Sequence, residues 1–170
     1  VRKHLNMDCE IHLMTKKPTE KAKKWKDVPQ VKRVLFHYEA EENVGLIIEK
    51  LHELNVWDIA MVLNPETSLD VVGEHVDTLQ GLMLMGIHPG FQGQLYIPET
   101  TLRLKKCKEL YPQLFLEIDG GINDKTLPEI ISAGVDAICP GSAVFRNERT
   151  PTENIARLKK MIKVLTIHKT

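Results

Sequence analysis

The chain has no excess charge of either sign: Lys and Arg together number 23, and so do Asp and Glu. That balance removes the electrostatic case for nucleic acid or an acidic lipid surface as partner. The apolar runs are short, none approaching the roughly 20 residues a membrane-spanning helix needs, so no membrane partner is expected. Val1-Arg2-Lys3-His4 does not open a secretory signal. Cysteine is scarce. Cys9, Cys107 and Cys139 are odd in number and form no Cys-x-x-Cys pair, which suits reduced thiols in a cytoplasmic protein. Low-complexity segments, linkers and composition shifts are also missing, so residues 1–170 read as one domain. The lysines between Lys16 and Lys26 are interrupted by Glu20 and followed by Asp27, and read as a solvated helix face.

Regular alternation is what the chain does have. Short apolar runs predict strands at 9–13, 33–37, 59–63, 81–87, 115–119 and 136–139. Amphipathic stretches between them predict helices at 19–25, 43–54, 68–74, 98–111, 125–133 and 152–165. In the second of these, Val44, Ile47, Ile48 and Leu51 form a core-facing stripe. Asp124 is placed to cap the helix over 125–133, and Gly134 to close it. Strand–helix repeats with apolar strands imply an α/β fold, a parallel sheet covered by helices. Six such units are present, at roughly 30 residues each, whereas a closed barrel needs eight. An open doubly wound sheet and a barrel lacking its first quarter both satisfy this pattern.

In parallel α/β folds the functional side chains gather where strands end. Here the ends read His12-Leu13-Met14, His37-Tyr38-Glu39, Asn64-Pro65, His88-Pro89-Gly90, Asp119-Gly120-Gly121 and Pro140-Gly141-Ser142. The last two are consecutive strands stopping in glycine turns that lead into helices. Glycine lets the backbone approach a ligand, and N–H groups at a helix start favour an anion, so the pair predicts a phosphate cradle with Asp119 beside it. Gly90-Phe91-Gln92-Gly93-Gln94 adds a second glycine loop able to close over a phosphate.

Together His12-Leu13-Met14, Phe36-His37-Tyr38-Glu39-Ala40, Asn64-Pro65-Glu66-Thr67, Pro89-Gly90-Phe91-Gln92-Gly93-Gln94, Asp119-Gly120-Gly121-Ile122 and Gly141-Ser142-Ala143 resemble the ribulose-phosphate 3-epimerase family, in order and spacing. The resemblance runs from the strand carrying His12 to the last helix. It implies a (β/α)8 TIM barrel of the ribulose-phosphate-binding type, present as about six β/α units. It also implies an isomerase that interconverts ribulose 5-phosphate and xylulose 5-phosphate in the pentose phosphate pathway by proton transfer at C3. Such a reaction needs an acid/base group on each face of C3 and an electrophile for the enediolate charge. In the family two aspartates serve the first need and one divalent metal ion (Zn, Fe, Mn or Co) the second. By resemblance, Asp119 is both acid/base and metal ligand, and His12 is a metal ligand that also meets substrate. Met14 and Met85 line the reaction centre. Gly90, Phe91, Gln92, Gly93, Gly120, Gly121, Gly141 and Ser142 hold the phosphorylated ketopentose. His37 and His88 lie nearby, and a homo-oligomer is expected.

The departures matter as much. The family's first strand, with a substrate-contacting serine, is absent, and so is the second, whose His-x-Asp supplies a metal histidine and the partner aspartate. His75-Val76-Asp77 has that spacing but follows a helical pattern and reads as surface. His88 and Pro140 also differ from the family's usual residues at their positions. Val1 to Leu5 reads as the end of a helix, so an N-terminally truncated barrel is expected, with little or no activity and unpaired edges at 9–13 and 136–139. Two alternatives stand beside this reading. One is a non-catalytic sugar-phosphate-binding paralogue; the other is a related sugar-phosphate lyase or decarboxylase, whose Asp-x-Lys-x-x-Asp constellation this sequence lacks.

Overall fold

A computed structural model describes residues 6–54, 57–91 and 93–167. The helix end expected over Val1 to Leu5 lies outside the described residues. Six parallel strands alternate with helices along the chain: β1 (Cys9–Leu13), β2 (Val31–His37), β3 (Asp58–Leu63), β4 (Gly81–Met85), β5 (Phe115–Asp119) and β6 (Ala137–Cys139). The helices are α1 (Pro18–Ala22), α2 (Val44–Leu54), α3 (Glu99–Leu110), α4 (Leu127–Ser132), α5 (Gly141–Phe145) and α6 (Pro151–Ile167). The chain divides into two compact units, Val1–Met83 and Leu84–Thr170, with the division falling inside β4.

In the first unit the sheet order is β1-β2-β3. Register pairs His12 with Leu35 and Leu35 with Ala60, so the polar strand ends fall at one level. Ile59 to Leu63 are buried at every position, the signature of a strand covered on both faces. Ile47, Ile48 and Leu51 of α2 are buried while Leu46 is exposed, as its apolar spacing predicts. Asn43 stands just outside this helix as its cap, its side-chain oxygen accepting from the Leu46 N–H at 3.1 Å. The start of α1 borrows its cap from elsewhere: Glu42 accepts from the Thr19 N–H at 3.2 Å and hydroxyl at 2.7 Å. At the opposite strand ends, Arg33 of β2 ties Glu10 of β1 (2.8 Å) to Asp58 of β3 (3.5 Å). The stretch expected as a helix at 68–74 is a short 3-10 turn, Leu69–Val72. Four residues cannot gain enough α-helical hydrogen bonds to repay nucleation. The His75-Val76-Asp77 triplet falls at a second 3-10 turn, with Asp77 exposed and off any strand.

In the second unit β5 pairs with β6, Ile118 opposite Ile138. Asp136 fastens the start of that ladder. Its carboxylate accepts from the Leu116 N–H at 2.8 Å and from Lys108 of α3 at 2.6 Å. Gly134, at φ +88°, closes α4 as expected. The helix expected over 125–133 begins only at Leu127, with Thr126 at its N-cap and no side-chain cap; Asn123 holds the turn before it, its side-chain oxygen accepting from the Lys125 N–H at 2.9 Å, while Asp124 pairs with Arg157 of α6. That last helix begins earlier than its apolar spacing suggested, because Thr150 and Glu153 cap each other: the Glu153 N–H reaches the Thr150 hydroxyl at 3.3 Å and the Thr150 N–H reaches the Glu153 carboxylate at 2.8 Å. Pro151 follows as the first helical residue, where its missing N–H costs nothing.

The predicted strand over 81–87 stops at Met85 because Gly86 turns out of the ladder. Its N–H donates to the Asp119 carbonyl at 2.7 Å, and its own carbonyl accepts from Ile97 at 2.9 Å. A Cβ on Gly86 would lie 2.4 Å from the Gly120 carbonyl. One on Gly121 (φ +72°) would meet Tyr96 at 2.8 Å, backbone included. Three segments thus touch through backbone where any side chain would hold them apart. Gly134 has a left-handed φ but a nearest neighbour at 3.6 Å, so there the demand is conformational alone. Gly121→Ala is therefore expected to lower the free energy of unfolding by about 3 kcal/mol and Gly134→Ala by about 1 kcal/mol in urea titrations. Equal losses at both sites would contradict the close-approach account.

Candidate functional site

In the first unit the strand ends bring polar side chains into one connected chain. His12, in β1, has Nε2 2.9 Å from Nε2 of His37, the last residue of β2. The two rings lie 14° from parallel with centroids 5.0 Å apart. His37 is buried, and its Nδ1 lies 3.4 Å from Oε2 of Glu39. The other carboxylate oxygen of Glu39 accepts from the Asn64 N–H at 2.9 Å and from the Thr67 hydroxyl. Burial alone would raise the Glu39 pKa, but the hydrogen bonds from His37, Thr67 and Asn64 outweigh it and hold it at about 2.

In the second unit a cleft of about 600 Å3 opens beyond β5 and β6. Gly93 to Tyr96 form one wall, Gly121 to Lys125 another, and Ser142 and Ala143 of α5 a third, with Arg146 adding positive charge and Arg157 paired to Asp124. The guanidinium of Arg146 would be 3.6 Å from a Cβ on Gly93. Gln94 folds the glycine loop on itself, its side-chain amide donating to the carbonyls of His88 (2.7 Å) and Phe91 (2.9 Å). The loop after β5 is fixed through Gly121, whose carbonyl accepts from Thr126 at 2.9 Å and Asn123 at 3.1 Å. The cleft is therefore a preformed, backbone-rich hollow with cationic side chains on its rim, suited to a small anionic group.

A model of the "Ribulose-phosphate 3 epimerase family" matches residues 1–145. The chain belongs to this family. Its relatives named ribulose-phosphate 3-epimerase include those of Schizosaccharomyces pombe (34% identical over 127 residues, 75% of this chain and 55% of the relative) and Eremothecium gossypii (33% over 141 residues, 81% and 56%). That of Escherichia coli K12 is 32% identical over 140 residues, 80% of this chain and 61% of the relative. The chain thus spans less than two thirds of the length of these relatives. Among solved structures, orotidine 5'-monophosphate decarboxylase from Sulfolobus solfataricus superposes with a TM-score of 0.67 over 94% of this chain and 75% of that one. At 10% identity this likeness supports the α/β barrel-type fold and nothing of the chemistry.

The epimerase-family chain gathers some of its expected site residues and separates others. Gly93, Gly121 and Ser142 line the cleft together. Gly120 has its φ of +100° and a Cβ position 2.4 Å from Ile87, so it serves the close approach rather than the lining. Gly141 is the first residue of α5. Gly90 and the exposed Phe91 sit at the outer part of their loop, and Gln92 lies outside the described residues. Met85 is buried at the end of β4, whereas Met14 is exposed just past β1. Asp119 ends β5, half-buried, two residues before the cleft lining begins. His88 is exposed.

Sequence reasoning missed Arg146, Lys125 and Asn123 in the cleft, and Glu39 in the first unit. The signal for Arg146 was the run Gly141-Ser142-Ala143-Val144-Phe145, which forms a helix and carries the arginine at its end. Among the described residues no three His, Cys, Asp or Glu side chains group as metal ligands. His12 and Asp119 fall in different units and number two, against the three or four protein donors of ordinary catalytic sites. The donor set described does not by itself fit a divalent metal. No helix among the described residues is long and apolar enough to cross a membrane.

The Glu39 pKa lies below its ordinary value of 4.5, so its carboxylate contributes stability that is present above that value. The contribution is lost as pH falls from about 4.5 through about 2. Glu39→Gln is expected to be less stable than the parent at pH 7, with the difference shrinking steadily on acidification across that window. A pH-independent difference, followed by circular dichroism in urea, would show that the carboxylate charge is not what the site uses.

Proposed function

We propose that this chain is part of a metal-dependent 3-epimerase of a ketopentose phosphate, interconverting ribulose 5-phosphate and xylulose 5-phosphate. Family membership over residues 1–145 carries the proposal, and the position of Asp119 at the strand end before the cleft supports it. In this reading the phosphate lies in the cleft, met by backbone N–H groups of the glycine loops, Ser142 and the positive charge of Arg146 and Lys125. Asp119 takes the C3 proton, which the adjacent C2 carbonyl acidifies, and the electron pair passes into an enediolate. Inversion then requires a proton delivered to the opposite face of C3. The family's partner aspartate does that, and among the described residues no His-x-Asp stands at a strand end. A bound divalent metal would supply charge stabilisation for the enediolate, and the whole enzyme is expected to need one, to act in the cytoplasm and to form a homo-oligomer. Alone, this chain binds the sugar phosphate and turns it over little or not at all.

The experiment is an epimerase assay on ribulose 5-phosphate with added Zn²⁺, Mn²⁺ or Fe²⁺, comparing this chain with a version carrying upstream strand–helix units that include His-x-Asp. Activity only in the longer version is the expected result, and robust turnover by this chain alone would overturn it. Binding without turnover in both versions would favour a non-catalytic sugar-phosphate binder. In the binding measurement, Arg146→Ala is expected to weaken affinity for ribulose 5-phosphate about tenfold, the effect of losing one charged contact to phosphate. An unchanged dissociation constant in calorimetry would remove the cleft from the proposal.

A further inference from the structure

The first unit holds a chain of polar contacts that leads to His12 and includes two residues, His37 and Glu39, with no assigned role. It begins at the backbone N–H of Asn64 and the hydroxyl of Thr67, both donating to Oε1 of Glu39. It continues from Oε2 of Glu39 to Nδ1 of His37 at 3.4 Å, and from Nε2 of His37 to Nε2 of His12 at 2.9 Å. An ionised carboxylate only accepts, so its neighbour Nδ1 of His37 must carry a proton. A neutral imidazole has one N–H and one lone pair, which leaves Nε2 of His37 as the acceptor. The Nε2 of His12 must then be the donor, and the lone pair of the His12 ring sits on Nδ1.

We propose that Glu39 is a positioning residue that, through His37, commits His12 to the Nε2–H tautomer, so that His12 meets any proton, cation or substrate group through Nδ1. The functional meaning rests on the epimerase reading, in which His12 belongs to the reaction centre. The tautomer itself is a property of the chain without substrate or metal, so it can be measured whether or not that reading survives. The carboxylate is suited to the task because two anchors fix its orientation: Asn64, at the end of β3, and Thr67, three residues on, hold one oxygen while the other faces the buried ring.

Glu39→Gln reverses the chain without changing its shape. The amide oxygen is required by the Asn64 N–H and the Thr67 hydroxyl, so the amide NH2 is turned toward His37. The Nδ1 of His37 must then accept, its Nε2 becomes the donor, and His12 is switched to the Nδ1–H tautomer. The experiment is two-bond ¹H–¹⁵N correlation spectroscopy of the histidine rings in the full chain at pH about 8, above the ordinary imidazole range. The parent is expected to show His37 as Nδ1–H and His12 as Nε2–H, and Glu39→Gln to show both inverted. Thr67→Val, which keeps the carboxylate and the Asn64 contact, is expected to keep the parent tautomers. A parent with His12 as Nδ1–H, or with both His37 nitrogens protonated, would overturn the proposal, and so would a Glu39→Gln spectrum that retains the parent pattern. Because the parent spectrum alone can contradict the assignment, the test does not depend on the variants folding. Failure of the epimerase assay leaves this result standing, and failure here leaves the epimerase reading intact.

Discussion

The second unit is organised around one steric constraint: at Gly86, Gly120 and Gly121 the backbone passes so close to its neighbours that no Cβ fits. Gly86 exchanges hydrogen bonds with Asp119 and Ile97, and Gly121 lies against Tyr96. Through these contacts the end of β4, the turn after β5 and the segment at 94–97 are held at backbone separation. The cleft follows from that closeness. Its walls at 93–96 and 121–125 are fixed by contacts made before any ligand arrives. The cost is the backbone freedom that these glycines lose on folding, and the buried strands β4 and β5 supply stabilisation that offsets it.

The first unit uses polar geometry instead. Its strands are as apolar as any buried parallel sheet, yet their ends terminate in a histidine pair and a carboxylate whose acceptors are all directed. A buried ring such as His37 would be costly with its nitrogens unmatched. Glu39 and His12 stand within reach of both, at 3.4 Å and 2.9 Å. At the other strand ends Arg33 plays a purely mechanical part, clamping β1 and β3 to β2 through Glu10 and Asp58. The two ends of the same strands thus differ in kind, ion pairs at one and the histidine–carboxylate cluster at the other.

Much of this was legible in the sequence because it depends on periodicity and on single residues of narrow use. The strands at 9–13 and 115–119 match their predicted bounds, since each apolar run is cut sharply by a polar or glycine residue. Gly93, Gly121 and Ser142, expected to hold a phosphate, do line one cleft, because glycine turns after consecutive strands leave few alternatives. What escaped depends on partners distant in sequence or on competition between neighbours. Nothing local in Gly86 announces that it will lie against Gly120. The cap expected from Asp124 is not made, and its carboxylate pairs instead with Arg157, 33 residues away. The reciprocal cap of Thr150 and Glu153 was available in the run Thr150-Pro151-Thr152-Glu153, but apolar spacing drew the predicted helix start inward. Glu39 gave no signal of its own: only the fold brings Asn64 and Thr67 to one side of it and His37 to the other.

The cleft built by the glycine approach is the proposed site for the sugar phosphate. Amide chemical-shift mapping of the chain during titration with ribulose 5-phosphate tests that placement. Saturable changes centred on Gly93, Gly121, Asn123 and Ser142 are expected. Changes centred instead on the smaller hollow of the first unit, lined by Lys26, Lys32 and Trp57, or no saturable change at all, would contradict it.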